Sequence, residues 1–247
     1  PLTRDDYAVF KEVVLDKMER MGLTDLRRHI VFEHFWTPLD IAEQYYSNKG
    51  SIYGVVSDRF KNLAFKAPKQ SVKYPNLFFV GGYQHPPNVD AARWFVGQVW
   101  PLIHGQLPEV EFHLIGSKAP DEVRSLHGEG VTFHGFVPDL EPWLDGCRIA
   151  VAPLRYGAGI KGKVNMSMSR GQPVVATPMA VEGMFAKAGQ DILVAETPEQ
   201  FAAEVVRLYS DEELWNRVSA HGLENVRRYF SVETARLGLQ ELLKSLI

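Results

Sequence analysis

The sequence predicts an α/β protein: a doubly wound, mostly parallel sheet, preceded by an N-terminal α+β segment. Three observations carry that prediction. From Asn76 onward, short apolar runs rich in β-formers alternate with amphipathic helical stretches, the pattern of a parallel sheet covered by helices on both faces. The runs end at glycines or polar turns, at Gly81-Gly82, Gly116-Ser117, Gly135-Phe136 and Arg155–Lys163, and ligands of such sheets gather at the carboxyl ends of the strands. The stretch IAVAPLRYGAGIKGKVNMSMSRGQPVVAT, Ile149 to Thr177, is a complete strand, glycine loop, helix and strand.

Taken in order, Thr3 to Met21 is expected to be helical. Thr3 and Asp6 offer a cap, Tyr7, Phe10, Val14, Leu15 and Met18 recur at helical spacing, and Gly22 stops the run. Ile30 to Trp36 reads as a strand. Thr37 and Pro38 open a helix to Tyr46, Asn48 to Gly50 is a turn, and Ser51 to Val56 is extended. Asp58 to Tyr74 is polar, basic and irregular, with Pro68 and Pro75 about it, and reads as a linker or long surface loop.

The regular part starts with the strand NLFFVGG. Pro87 to His104 is an amphipathic helix with Val89, Ala92, Phe95, Val96, Val99 and Leu102 inward. Val110 to Ile115 is a strand, Asp121 to Leu126 a short helix, Val131 to Phe136 a strand and Leu140 to Leu144 a helical turn. Strand Ile149 to Leu154, the helix Lys161 to Arg170 ended by Gly171, and strand Pro173 to Thr177 follow. Asp191 to Ala195 is a further strand. Thr197, with Glu199 and Gln200 behind it, caps the helix Glu199 to Tyr209. Helices over Asp211 to Tyr229 and Ser231 to Leu246 close the chain. The expected units are residues 1–73 and 74–247.

Composition bounds the function. The 247 residues suffice for one large or two small domains. A formal net charge of -3 argues against broad nucleic-acid binding. The single cysteine, Cys147, excludes an internal disulfide framework and suits a reducing, cytoplasmic setting; beside Gly146 it reads as a small core residue. No apolar run approaches a membrane span, and PLTRDDYAVF is no secretory signal. With Pro1 in first place, the chain is expected to be a fragment or a processed form.

The glycine loop carries the chemistry. Gly157, Ala158 and Gly159 let the backbone turn tightly and approach a ligand. The helix that follows presents unpaired N–H groups and the positive end of its dipole. Arg155, Lys161 and Lys163 add full charges there. The reading is a cradle for phosphate, a diphosphate above all. A solvated helix start is the alternative for the two lysines, and a surface ion pair equally describes Arg155. His85 and Asn88 read as caps of the next helix rather than ligand contacts. Gly157, Gly159 and Gly162 also spell G-x-G-x-x-G with Glu182 further on, as a dinucleotide fingerprint would. Arg155 and Tyr156 separate the first glycine from the strand, and Glu182 lies past Thr177 and Pro178, so the geometry of that fingerprint is wrong. Neither NAD nor FAD is expected.

FVGGYQHPPNVDAARWF, VEFHLIG, VTFHGFVPDLEPWL and APLRYGAGIKGKVNMSMSRGQPVVATPMAVEGM, in that order, resemble the C-terminal half of family 4 retaining glycosyltransferases of GT-B architecture. The resemblance runs from Asn76 to the end. It implies a Rossmann-like domain that binds a nucleotide-diphosphate sugar. No metal or other cofactor is expected, because the loop cations can hold the charge and no Asp/His cluster of ligand type stands out. Many members hold the sugar and ribose with two glutamates eight positions apart; Ala158 and Met166 stand there in this chain. The Arg and Lys that often follow the family's first strand are absent, and a subgroup with a basic GAGIKGK-type loop fits better. The resemblance therefore names neither nucleotide nor sugar.

Residues 1 to about 82, through MERMGLTDLRRHIVFEHFWTPLDIAEQYYSNKGSIYGVVSDRFKNLAFKAPKQSVKYPNLFFVGG, resemble the C-terminal part of phytoene-desaturase-type carotenoid desaturases and oxidases. The chain reads as a fusion that changes family at FVGG. In the desaturase family Trp36, Tyr45, Tyr46 and Tyr53 would line a carotenoid tunnel; packing or an exposed apolar patch is the alternative reading.

The donor site implied by loop and resemblance together is Gly81, Gly82, Gly135, Phe136, Arg155, Gly157, Gly159, Lys161, Lys163 and Glu182. Gly81 and Gly82 would offer N–H groups. The backbone around Gly135, Phe136 and Val137 would meet a nucleobase, although Phe136 reads equally as core. Glu182 would hold a ribose or sugar hydroxyl in place of the missing glutamates. No catalytic base can be named. The expected partners are a nucleotide sugar and an unidentified acceptor, with peripheral membrane contact if that acceptor is a lipid. Two other readings stand beside the transferase: the remnant of a flavin-dependent carotenoid oxidoreductase, and a fragment that binds without turnover.

Overall fold

The computed structural model describes residues 4–20, 22, 25–30 and 76–245. The strand read over 30–36 beyond its first residue, the helix to Tyr46, the extended run 51–56, the loop 58–74 and the boundary at 73/74 lie outside these residues. So do Trp36, Tyr45, Tyr46 and Tyr53. The described N-terminal part is the expected helix α1 (Arg4–Arg20), followed by a single turn, α2 (Leu26–His29). Arg27 ties the two, with Nη1 2.6 Å from Glu19 Oε2 and Nη2 2.6 Å from Asp16 Oδ1.

The second part is a sheet of six parallel strands: β1 (Leu77–Val80), β2 (Phe112–Ile115), β3 (Val131–Gly135), β4 (Ile149–Ala152), β5 (Val174–Ala176) and β6 (Leu193–Val194). Their order is β3-β2-β1-β4-β5-β6, and Leu77 pairs with Phe112 on one side and Ile149 on the other. The inner strands are buried along their whole length, which is why their sequences are unbroken apolar runs rather than alternations.

The helices follow from that order. β1 is joined to β2 by α3 (Pro86–Trp94), a π-helical turn over Phe95–Val99, and α4 (Trp100–His104). α5 (Asp121–Arg124) and α6 (Glu141–Gly146) join the next pairs. α7 (Gly162–Ser169) and α8 (Pro178–Val181) follow β4 and β5, and α9 (Pro198–Ser210), α10 (Glu212–Phe230) and α11 (Val232–Ser245) close the chain. Strands 1 to 3 step one way across the sheet and 4 to 6 the other. Right-handed crossovers then place α3–α4 and α7 on opposite faces. α9 packs with α3–α4, where Phe201 meets Trp94 and Phe95 edge-on at centroid distances of 5.8 and 5.7 Å. α10 packs with α7, and Ser219 of α10 donates to the Gly171 carbonyl that follows α7.

The sheet matches the sequence expectation, with three local differences. Leu102 is 40% exposed, whereas Trp94, Trp100 and Ile103 are buried. The π turn is the cause: its wider spacing carries the inward position past Leu102 to Ile103. The strand expected over 191–195 contracts to Leu193–Val194, with Ile192 bridging to Ala188. α8 begins on Pro178, a residue suited to a first helical turn, in a stretch too short to show a period.

Candidate diphosphate site at the strand-order switch

The strand order reverses between β1 and β4. In open parallel sheets that is where a crevice opens for a ligand, beyond the carboxyl ends of the strands. The turn after β1 is Gly81-Gly82 and the loop after β4 is Arg155 to Lys161, so the topology sets the basic glycine loop on one wall and the double glycine on the other. A dinucleotide fingerprint belongs after the first strand; here the G-x-G-x-x-G run follows the fourth.

Residues 155–160 are exposed apart from half-buried Gly157. Gly157 at φ 128 and Gly159 at φ 75 lie in the region that disfavours side chains. Lys161 closes the loop from below. It is 7% exposed, and its Nζ donates to the Gly159 carbonyl at 2.6 Å and reaches the Gly157 carbonyl at 3.5 Å. Burial pushes its pKa down, opposed by the charge of Glu182.

Lys163, in the first turn of α7, turns inward across the crevice. Its Nζ is 2.6 Å from Asn88 Oδ1 and 4.2 Å from the centre of the Phe79 ring. The residue as a whole is half-buried, but the ammonium sits between strand and side chain, and burial, with Lys161 adding repulsion, brings its pKa down to about 7. Phe78, Val80 and Val164 line a small cavity with it. Each ammonium has three N–H donors, so donors are left beyond the contacts with the protein's own oxygens.

Arg155 takes the surface ion pair that its sequence allowed. Its Nε donates to Asp90 Oδ2 at 2.9 Å, its Nη2 to Asp90 Oδ1, and the guanidinium lies 5.9 Å from the Trp94 ring centre. Glu182 is exposed and near enough to Lys161 to affect its titration. A Cβ on Gly183 would stand 3.4 Å from Ile160, so this turn meets the rim of the loop. Gly81 is less available than expected, because its N–H donates to the Ile115 carbonyl at 3.0 Å and extends the sheet. Gly135, at φ 66, ends β3, two strands and about 10 Å from β1, and Phe136, 66% exposed, follows it. Ala158 is exposed and Met166 half-buried.

Two residues near the lysines have side chains suited to capping α3. Asn88 is 7% exposed; its Nδ2 donates to the Gly82 carbonyl at 2.8 Å while its Oδ1 accepts from Lys163. It is a bridge across the crevice, not a cap. His85 occupies the cap position of α3 without a side-chain cap bond, and burial and the charges of Lys163 and Lys161 lower its pKa. Cys147 is a buried core thiol pushed up to about 12 by burial, as expected. Among the described residues no group of three or more His, Cys, Asp or Glu side chains could hold a metal ion, and no helix is long and apolar enough to cross a membrane.

Comparison with known proteins divides the chain as its sequence does. The N-terminal region matches carotenoid enzymes. 4,4'-Diapolycopene oxygenase of Methylomonas sp is 66% identical over 85 residues, 34% of this chain and 17% of that protein. 4,4'-Diaponeurosporene oxygenase of Staphylococcus aureus (strain USA300) is 57% identical over 86 residues, 35% and 17% of the two chains. The match thus spans about a sixth of the length of these relatives.

The sheet domain matches GT-B structures. TarM of S. aureus, solved as a variant with fondaparinux, alpha-GlcNAc-glycerol and UDP, superposes with a TM-score of 0.62 at 16% identity, over 73% of this chain and 37% of that one. HepE of Anabaena, with UDP and glucose, gives 0.58 at 16% identity, over 71% and 50%. The C-terminal domain of LpcC from Francisella tularensis, a glycosyl transferase group 1 family protein, gives 0.55 at 14% identity, over 69% and 97%. At these identities the likeness is one of fold. The sequence model of the group 1 glycosyl transferases matches residues 74–211, more than half of the chain. A carotenoid-oxygenase-like segment here precedes a GT-B sheet, and by that sheet the chain belongs to the group 1 glycosyl transferases.

Proposed function

We propose that residues 74–247 are the donor-binding domain of a retaining glycosyltransferase and hold the diphosphate of a nucleotide sugar in the crevice between β1 and β4. One observation carries this reading: Lys161 and Lys163, both desolvated, converge on the switch point between two glycine turns. In transfer, the bond between sugar and diphosphate breaks and negative charge grows on the leaving diphosphate. Lysine ammoniums and loop N–H groups fixed in place stabilise that charge without reorganising. Charge from the lysines makes a metal unnecessary. Arg155 joins by leaving Asp90 or stays on the rim, and Glu182 faces a ribose or sugar hydroxyl.

Two of the structural neighbours were solved with UDP, which supports a nucleotide-sugar donor for this chain. This chain covers 37% and 50% of those neighbours, and the acceptor is read as belonging to a further half. On this reading the chain binds the donor, and a lipid acceptor would bring it to a membrane surface. Thermal shift with UDP, GDP, ADP, NAD and FAD tests the assignment. Stabilisation by one of the nucleoside diphosphates and not by NAD or FAD is expected; stabilisation by NAD or FAD alone overturns it.

The N-terminal identity to carotenoid oxygenases favours a second reading, a flavin-dependent oxidoreductase remnant. It requires a yellow protein with flavin absorbance after purification. The G-x-G-x-x-G run of this chain follows the fourth strand rather than the first, the wrong place for a dinucleotide, and a colourless protein is expected.

A further inference from the structure

The turn after β1, Gly81 to Val89, contains no Lys or Arg. The cation at that strand end comes instead from α7, and Asn88 is what fixes it there. The Asn88 amide spans the crevice, with Nδ2 2.8 Å from the Gly82 carbonyl and Oδ1 2.6 Å from Lys163 Nζ. It is 7% exposed, and a Cβ on Gly81 would stand 2.7 Å from its Cγ. Asn88 is therefore packed against the backbone of Gly81, and its amide holds Lys163 over Phe79 rather than leaving it to swing on its four-carbon stem.

Resting on the reading of the crevice as a diphosphate site, we infer that Asn88 is a positioning residue that sets the Lys163 ammonium for the diphosphate. An amide suits this task better than a carboxylate. It accepts the ammonium's hydrogen bond yet leaves the positive charge uncancelled, so the charge is available to an anion. The other ionisable groups about Lys163 are Lys161 and His85, and neither supplies a compensating negative charge.

The test is calorimetric titration of inorganic pyrophosphate and of UDP into wild type, Asn88→Ala, Asn88→Asp and Lys163→Ala, between about pH 6 and 9, with thermal midpoints recorded alongside. Asn88→Ala should weaken pyrophosphate about tenfold, the scale of one lost charge-assisted contact, and move the pH midpoint of binding down, because Lys163 loses an acceptor. Asn88→Asp keeps the shape, should leave the thermal midpoint equal or higher, and should still weaken pyrophosphate while moving the pH midpoint up, because a carboxylate holds the proton on Lys163. If Lys163→Ala weakens binding but both Asn88 variants keep wild-type affinity and pH midpoint, the positioning role is wrong and the diphosphate site stands. If folded Lys163→Ala binds pyrophosphate as wild type does, the site reading itself is wrong.

Discussion

At the scale of single residues, a lysine whose pKa is brought down to about 7 makes anion binding depend on pH. Below that value the ammonium is charged and attracts a diphosphate; as pH rises through it, the free protein loses the charge and must take up a proton to bind. UDP affinity is expected to fall from about pH 7 to 9, with net proton uptake seen as a dependence of the binding enthalpy on buffer ionisation. Proton release in that range contradicts the assignment. Stability moves the other way. An unfolded lysine titrates near 10.4, so between about 7 and 10.4 the unfolded chain binds more protons than the folded one, and Lys163 favours the fold more as pH rises.

Two histidines give an acid limit. His113 Nδ1 and His134 Nε2 are 3.1 Å apart, and Asn76 Nδ2 is 2.9 Å from His113 Nε2. Burial lowers both pKa values below 6.5, with Glu111 opposing and, for His113, the neighbouring His134 adding to the effect. At these sites the unfolded chain therefore binds more protons than the fold just below pH 6.5, and stability drops as pH falls through that range. Imidazole signals titrating below 6.5 in NMR confirm this; a midpoint at or above 6.5 contradicts it.

At the scale of elements, the cap of α9 is the cleanest case. Thr197 accepts from the Gln200 N–H at 3.3 Å and Gln200 answers with its own side chain. Thr197→Ala should cost about 1 kcal/mol in urea unfolding, and no loss means that the box contributes nothing. Gly81→Ala belongs here too, since its Cβ would collide with Asn88 at 2.7 Å. Most elements were legible because local spacing dictates them: four-residue apolar strands, the Thr197 box and Gly171 after α7 follow from neighbours in sequence. The π turn was not legible, since an apolar pattern does not distinguish a normal turn from a wide one. The crevice was half legible. Glycines and lysines beside one another in sequence announced a phosphate loop. The contacts of Lys163 with Asn88, 75 residues away, and of Arg155 with Asp90, 65 away, come only from the topology that sets β1 beside β4.

For the whole molecule, two segments of different kinship share one chain. Residues 76–245 hold a complete six-stranded sheet with its own core, so the unit 74–247 is proposed to fold without residues 1–73. Limited proteolysis should cut between about Asp58 and Tyr74 and leave a stable C-terminal piece; loss of both parts together contradicts this. The central claim is that the switch-point crevice binds a nucleoside diphosphate through its lysines. Its most direct test is low-salt titration calorimetry of UDP and GDP into the wild type, Lys163→Ala and Glu182→Ala, with circular dichroism to confirm that each is folded. Lys163→Ala should lose about ten- to hundredfold in affinity, while Glu182→Ala, which removes a negative charge near Lys161, should bind UDP as well or better. A folded Lys163→Ala protein with unchanged affinity contradicts the account.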